Sequence, residues 1–297
     1  MLRFCLLLCP LICILLPAHV LALELRDDAN TRLSIQLPIT RIISLAPHTT
    51  ELVYAAGADQ HLVGVTAFSN FPAQAKTVPR VGNATRLDVE RIIALQPDLI
   101  LGWISGNSAQ QIQQLRDAGL TVYMTEPDEL EDIPRYLLDI GRASATTNKS
   151  TRQANSFLAS LAVMQQRFAN RDAVDVFIQV SESPLYTLNG EHIVSAALSK
   201  CGGRNVFADL PLLAPAVGLE AVIKHDPEVI FASVYPGAEI DISRWQRLPQ
   251  LRAARLNNIY RVNADNVMRP TPRILQGVMQ MCELLDTARQ RRRQTLE

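Results

Sequence analysis

The sequence lacks an excess of charge of either sign. Its 297 residues include 29 Lys plus Arg and 29 Asp plus Glu, so it has no strong field that could recruit nucleic acid or an anionic membrane. The one basic cluster, Arg289 with residues 291–293, lies at the end of the chain and is most simply a solvated helix tail. We therefore expect no nucleic-acid partner.

Sequence motifs of common catalytic sites are also missing. No G-x-x-x-x-G-K-[ST] phosphate loop occurs, so any ATP hydrolysis coupled to this protein must be done by another subunit. G-x-S-x-G and H-E-x-x-H are absent, and the histidines beyond the N-terminal region are dispersed at His48, His61, His192 and His225. The sequence thus predicts no catalytic residue, no metal site and no cofactor, and an exported enzyme such as a chelatase or hydrolase is the least favoured alternative.

The N-terminus has the pattern of an export signal. Arg3 precedes an apolar run over residues 4–16, which is too short to span a membrane with ease, and small residues follow up to Ala22. Cysteines in this run follow bulky neighbours, whereas a lipoprotein signal needs a small residue before its cysteine. We predict that residues 1–22 are cleaved and that a soluble protein reaches the periplasm.

Few cysteines remain after this signal. Three of the five lie within it, which leaves Cys201 and Cys282. An even pair in an exported protein predicts one disulfide, and two unrelated buried thiols are the alternative. Such a bond stabilises the fold and has no chemical function.

Apolar runs of strand length alternate with helical patterns along the chain. Strands are predicted at 41–46, 61–66, 97–103, 120–125, 173–180, 227–234 and 259–264. Between residues 128 and 172 only helical patterns occur, the second of them about 20 residues long without Gly or Pro. This order predicts an α/β fold with two Rossmann-like lobes, 40–145 and 173–297, joined by a single long rigid helix within 146–172. We expect such a helix to permit only small lobe motion.

Two segments of the chain echo each other. "LDVERIIALQPDLILGW" and "VGLEAVIKHDPEVIFAS" align without a gap, which pairs Glu90 with Glu220 and Pro97 with Pro227. A glutamate at a helix start suits the helix dipole, which explains each glutamate alone. Two equivalent acidic points on two lobes are also what a partner with two equivalent basic points would need.

Four segments resemble, in order, the periplasmic cobalamin-binding proteins of bacterial ABC importers. They are "RIISLAPHTTELVYAAGA", "LDVERIIALQPDLILGW", "CGGRNVF" and "RPTPRILQGVMQMCELL", and the resemblance covers nearly the whole chain after residue 40. It implies the fold of class III periplasmic binding proteins, a bond between Cys201 and Cys282, and transport of cobalamin or a related corrinoid. It also implies that Glu90 and Glu220 dock on arginines of a permease dimer that works with ATPase subunits.

Candidate ligand-binding residues follow the ends of predicted strands, where ligands bind in parallel α/β sheets. Aromatic rings there suit a large planar or macrocyclic ligand, although ordinary packing explains any single ring equally well. The resemblance adds two polar positions and implies a structural contact for Arg273. The complete set is Pro47, His48, Thr49, Phe68, Phe71, Trp103, Tyr186, Tyr235, Asp265 and Arg269.

The chain departs from the cobalamin-binding pattern at three positions. Ala84 and Ala214 stand where the family has pocket tryptophans, and Asn266 replaces a third aromatic. Each replacement removes roughly 1 to 3 kcal/mol of buried aromatic contact unless another group fills the gap. A ferric siderophore or haem is therefore the alternative ligand, and haem would need an axial His48, Tyr186 or Tyr235.

Overall fold

A β-hairpin opens the computed structural model, which describes residues 22–296. Strands β1 (Ala22–Arg26) and β2 (Arg32–Gln36) pair antiparallel. Asp28, in the turn between them, accepts hydrogen bonds from the Tyr136 hydroxyl and the Glu126 N–H. These bonds attach the hairpin to the first lobe, although the hairpin precedes residue 40, where that lobe was predicted to begin. The predicted signal lies outside the described residues, except for Ala22 at the start of β1.

The first lobe is built on a parallel sheet of four strands, β3 (Ile42–Ser44), β4 (Leu62–Val65), β5 (Leu99–Trp103) and β6 (Val122–Thr125), in the order β4-β3-β5-β6. Its strands lie where the sequence predicts buried strands, and helices connect them because parallel neighbours need a crossover. Pro97 lies between the second helix and β5, as expected for a residue that ends a helix. The elements are β3 (Ile42–Ser44), α1 (Pro47–Ala56), β4 (Leu62–Val65), α2 (Val89–Ala94), β5 (Leu99–Trp103), α3 (Ala109–Asp117), β6 (Val122–Thr125) and α4 (Asp132–Ala143).

One long helix, α5 (Thr147–Phe168), connects the lobes. Its buried side chains recur every three or four residues and form one apolar stripe of Ala154, Phe157, Leu161, Met164 and Phe168. This stripe packs on α1 and α4 of the first lobe, and the helix also contacts the last helix of the second lobe. Because α5 contains neither Gly nor Pro, it has no hinge of its own.

The second lobe repeats the parallel sheet with the order β10-β9-β7-β8. Strand β8 has three residues and was not predicted, because "GRN" has no apolar run. Among the described residues, none of the helices has the length and hydropathy needed to cross a membrane. The elements are β7 (Val174–Gln179), α6 (Ile193–Ser199), β8 (Gly203–Asn205), α7 (Leu219–His225), β9 (Val229–Val234), α8 (Ser243–Gln246), α9 (Arg252–Arg255), β10 (Ile259–Asn263), α10 (Ala264–Val267) and α11 (Ile274–Leu296).

The two sheets have equivalent topology. Strands β5 and β9 are central in their sheets, and their first residues, Leu99 and Val229, are separated by the same 130 positions as the two echoed glutamates. Glu90 is the second residue of α2 and Glu220 the second residue of α7, and both side chains are exposed. The predicted α/β class, with two lobes and one connecting helix, is confirmed.

Cys201 and Cys282 form a disulfide, as predicted. It joins the turn after α6 to the middle of α11, and both cysteines are fully buried. Closing a loop of 81 positions stabilises the fold by about 4 kcal/mol in the chain-entropy model.

Candidate functional site

A cavity of about 690 Å³ lies between the lobes, at the carboxyl ends of both sheets. In the first lobe its wall comes from the segments that follow β3, β4, β5 and β6. In the second lobe the wall comes from the segments that follow β9 and β10 and from the start of α6. This is the position where parallel α/β sheets bind ligands, because loops and helix N-termini meet there.

Seven of the ten predicted ligand-binding residues lie in the cavity wall. They are Pro47, His48, Phe68, Trp103, Tyr235, Asp265 and Arg269. The other three, Thr49, Phe71 and Tyr186, are not part of the wall. The structure therefore brings together residues from both lobes that are up to 222 positions apart in sequence.

Thr49 holds the junction between β3 and α1 from within the protein. Its hydroxyl lies 2.7 Å from that of Ser44 and donates to the Ala46 carbonyl at 2.9 Å. Pro47 occupies the first helical position, where the missing N–H costs little. The Thr50 hydroxyl donates to Ser69 at 2.9 Å and so attaches the loop after β4. This buried hydroxyl network positions two segments of the cavity wall.

Phe71 and Tyr186 make contacts outside the wall. The Arg273 guanidinium lies 3.8 Å from the centroid of the Phe71 ring, a cation–π arrangement. Tyr186 forms an isolated bridge with Ala216 and is partly exposed. Their positions depend on the conformation of the loops, which cannot be predicted from the rule that ligands bind at the carboxyl ends of the strands.

A buried carboxylate joins the two lobes beside the cavity. Glu51 of α1 is 3% exposed and lies between Thr50 and Leu52 in sequence. It accepts from Arg269 at 2.9 Å, from Arg273 at 2.7 and 2.9 Å, and from the Thr271 hydroxyl at 3.1 Å. Arg273 thus has the structural contact that the sequence analysis expected, and Glu51 is a residue that it missed.

Phe68 presents its ring at the mouth of the cavity in an unusual backbone conformation. Its φ is 65° and the residue is 77% exposed; a bulky residue in this region stores roughly 1 to 3 kcal/mol of strain. The turn is held by Arg80, which donates to the carbonyls of Thr66 and Ser69, and by Arg269, which donates to the Phe68 carbonyl at 3.3 Å. Arg269 of the second lobe therefore helps to hold the Phe68 turn of the first lobe at the mouth of the cavity.

His48 and Trp103 pack edge to face, with ring centroids 5.4 Å apart. Trp103 ends β5, and its N–H donates to the Asn107 side chain at 2.7 Å, which itself donates to the Ala84 carbonyl at 2.8 Å. Burial, together with the charge of Arg269, lowers the pKa of His48 to about 3. The imidazole is therefore neutral at physiological pH.

The positions of the three replaced aromatics differ in their relation to the cavity. Ala84 lies in the wall, whereas Ala214 does not and its neighbour Leu213 does. Asn266 accepts a hydrogen bond from Arg273 at 3.1 Å. Of the three replacements, Ala84 is therefore the one that lies in the cavity wall, where the small side chain leaves open space.

Several polar wall residues were not predicted. They are Asn70, Asn83, Thr85, Glu126, Asp128, Glu191 and His192. Glu126 and Asp128 directly follow β6, so the same strand-end rule would have found them. Within residues 22–296, no three His, Cys, Asp or Glu side chains are grouped to bind a metal ion.

A family model described as "Periplasmic binding protein" matches residues 42–265. The chain is 34% identical over 282 residues to a "Vitamin B12-binding protein" of Vibrio parahaemolyticus, which covers 95% of this chain and 98% of that protein. A protein of the same name from Vibrio cholerae is 37% identical over 252 residues and covers 84% of this chain and 91% of that protein.

Solved structures of periplasmic binding proteins are also similar to this chain. The crystal structure of the periplasmic vitamin B12 binding protein BtuF of Vibrio cholerae matches with a TM-score of 0.80 and 36% identity, and covers 85% of this chain and 98% of that one. The periplasmic heme-binding protein RhuT from Roseiflexus sp. RS-1 matches with a TM-score of 0.70 at 22% identity, over 84% of this chain and 98% of that one. The second likeness concerns the fold alone.

Proposed function

The chain belongs to the periplasmic binding protein family, and we propose that it captures cobalamin or a related corrinoid and delivers it to an inner-membrane ABC permease. Its two parallel-sheet lobes joined by α5 are the class III fold of that family. In this proposal residues 1–22 direct export and are removed, the cavity captures the ligand in the periplasm, and the protein releases it at the membrane.

One observation carries the proposal: a cavity between the sheet ends, in a chain whose relatives are named for vitamin B12. Its volume of about 690 Å³ is within the usual range for small-molecule sites. Phe68, Trp103 and Tyr235 contribute rings to its wall. Flat apolar surfaces of this kind suit a macrocycle that is partly enclosed and partly exposed.

Delivery is supported by the paired glutamates. Glu90 and Glu220 are exposed, lie at equivalent positions of two equivalent lobes, and are absent from the cavity wall. Two arginine sites on a permease dimer would match them, and the dimer's ATPase subunits would supply the energy. The relatives are named as binding proteins, and we propose that this chain likewise performs no chemistry and needs no cofactor of its own.

Haem is the second candidate ligand because Tyr235 lies in the cavity wall, and a phenolate can serve as an axial ligand to haem iron. Ferric siderophores are less favoured, since the wall arginine Arg269 is already paired with Glu51 and Asp265.

Uptake of labelled cobalamin into sealed vesicles that contain the permease and ATPase subunits tests the proposal. We expect accumulation that requires both this protein and ATP. Accumulation of haem but not of cobalamin would reassign the ligand, and accumulation that is independent of the protein would contradict delivery.

A further inference from the structure

Two histidines line the cavity from opposite lobes. His48 is the second residue of α1, and His192 is the N-cap of α6. Burial lowers the pKa of His48 to about 3, with a further contribution from Arg269, and burial lowers that of His192 to about 4. Each imidazole therefore carries one N–H and one lone pair.

The hydrogen bonds around His48 assign its tautomer. The Thr125 hydroxyl donates its single proton to the Gly102 carbonyl at 2.8 Å. It therefore accepts from His48, whose Nε2 lies 3.2 Å away. A neutral imidazole with its proton on Nε2 has an acceptor at Nδ1, and the hydrogen bond that the described residues make with this ring is at Nε2. His48 lies in the cavity wall, so a ligand in the cavity can supply a donor to Nδ1.

His192 differs from His48, because its free ring nitrogen is a hydrogen-bond donor and not an acceptor. Its Nδ1 accepts from the backbone N–H of Val194 at 3.2 Å, which caps α6. The proton therefore lies on Nε2, which is a donor. The cavity thus has a neutral acceptor on one lobe and a neutral donor on the other.

Three carboxylates line the same cavity besides Asp265, which pairs with Arg269. Glu126 and Asp128 come from the first lobe and Glu191 from the second. Desolvation, followed by the negative charge of Glu126, raises the pKa of Asp128. Arg269, the arginine of the wall, does not offset the negative charge of these carboxylates for a ligand, because its guanidinium already contacts Glu51, Asn70 and Asp265. A ligand carboxylate placed near these groups would be repelled and would find few free donors.

We propose that the polar wall of this cavity recognises primary amides on the periphery of the macrocycle and rejects carboxylates there. His48 Nδ1 accepts from an amide N–H, His192 Nε2–H donates to an amide carbonyl, and the carboxylates accept further amide N–H groups. This inference rests on the proposed function and extends it. A corrin ring carries acetamide and propionamide side chains that offer both donor and acceptor, whereas haem carries propionates.

A matched pair of corrinoids tests the inference by calorimetry. Cobinamide carries peripheral amides, and cobyrinic acid has the same ring with carboxylates. We expect the wild-type protein to bind cobinamide about 100-fold more tightly, which corresponds to a few hydrogen bonds lost or replaced by charge repulsion. Equal affinities would overturn this inference alone. If neither corrinoid nor cobalamin binds, the proposed function fails as well.

Variants assign the effect to the wall groups. The double variant Asp128→Asn/Glu191→Gln removes the charge that repels a ligand carboxylate, so it should bind cobyrinic acid at least about tenfold more tightly than the wild type. The control Glu24→Gln/Glu283→Gln removes two exposed carboxylates outside the wall and should leave both affinities unchanged. If the control produces the same gain, the local recognition proposed here is wrong.

His48 is tested separately. His48→Leu should weaken cobinamide binding about tenfold, and His48→Asn, which returns an acceptor near the Nδ1 position, should recover part of the loss. His61→Leu, outside the wall, is the control. In ¹⁵N-histidine-labelled wild-type protein, the Nδ1 resonance of His48 should be that of an unprotonated nitrogen and should shift when cobinamide binds. An unchanged resonance would overturn the contact even if the variants did not fold.

Discussion

Glu51 of the first lobe and Arg273 of the second form a two-point ion pair. The Arg273 Nε donates to one carboxylate oxygen at 2.9 Å and its Nη2 donates to the other at 2.7 Å. Arg269 adds a third contact at 2.9 Å. Because Arg269 also lies in the cavity wall, the same network links the lobes, the rim turn at Phe68 and the site.

Removing the charge of Glu51 should destabilise the fold strongly. Glu51→Gln leaves Arg273 without its carboxylate and Arg269 with Asp265 alone, and breaking a buried pair in this way costs about 3 to 5 kcal/mol. Urea unfolding measures the loss. The control is Glu283→Gln, whose carboxylate pairs with Arg167 at 2.9 Å on the surface and should cost less than about 1 kcal/mol. Similar losses in both variants would show that the Glu51 network carries no special stability.

The lobes should move little when a ligand binds. Helix α5 has no Gly or Pro, and a second ionic link joins the lobes, since Lys200 contacts Glu129 at 3.2 Å and Glu131 at 3.1 Å. Small-angle scattering with and without cobalamin should therefore give superimposable curves. A clear decrease in the radius of gyration would indicate hinge closure and contradict this account.

Much of this architecture could be predicted from sequence because it depends on local patterns. The buried strands are continuous apolar runs, and the lack of Gly and Pro marks α5 directly. Strand β8 and the hairpin of β1 and β2 were not predicted, since β8 has no apolar run and the hairpin precedes residue 40, where the predicted first lobe begins. Its alternating apolar residues from Leu23 to Ile35 were a usable signal.

The site was predictable only where a residue directly follows a strand. Trp103 and Tyr235 are found by that rule, whereas the resemblance supplied Asp265 and Arg269. The Phe71 ring packs against Arg273 instead of lining the wall. The pairing of Glu51 with Arg269 and Arg273 joins positions 218 and 222 apart. No local pattern encodes such a contact, because it depends on how the two lobes are placed relative to each other.

Acid should destabilise the protein through His48. Its pKa is about 3 in the native state and about 6.5 in the unfolded chain. Between these values the unfolded chain binds a proton that the native protein does not, so stability falls as the pH decreases from about 6.5 towards 3. At pH 5 the loss is about 2 kcal/mol from this group. Urea unfolding of the wild type and of His48→Leu at pH 7 and pH 5 measures it; an equal decline in both would assign the acid sensitivity to other groups.

Reversing the charge of the two exposed glutamates should uncouple binding from delivery. Glu90→Lys/Glu220→Lys places two cations where arginine partners are proposed, so vesicle uptake should fall to background. Cobalamin affinity should change less than about twofold, because neither residue lies in the cavity wall and exposed charges act weakly at a distance.

The matched control for docking is Glu283→Lys, an exposed reversal on α11. It should leave both uptake and affinity unchanged. If uptake persists in the double variant, the paired glutamates do not dock the permease. A parallel loss of cobalamin affinity would show that they act on the ligand site instead.

Calorimetric titration of the purified protein with cobalamin, with haemin and a ferric siderophore in parallel, tests whether the protein is a corrinoid carrier. We expect tight one-to-one binding of cobalamin, despite the alanine at 84, and weak or no binding of the other two ligands. Saturable binding of haemin or the siderophore without any heat from cobalamin would contradict the corrinoid assignment, while the family and the fold would stand.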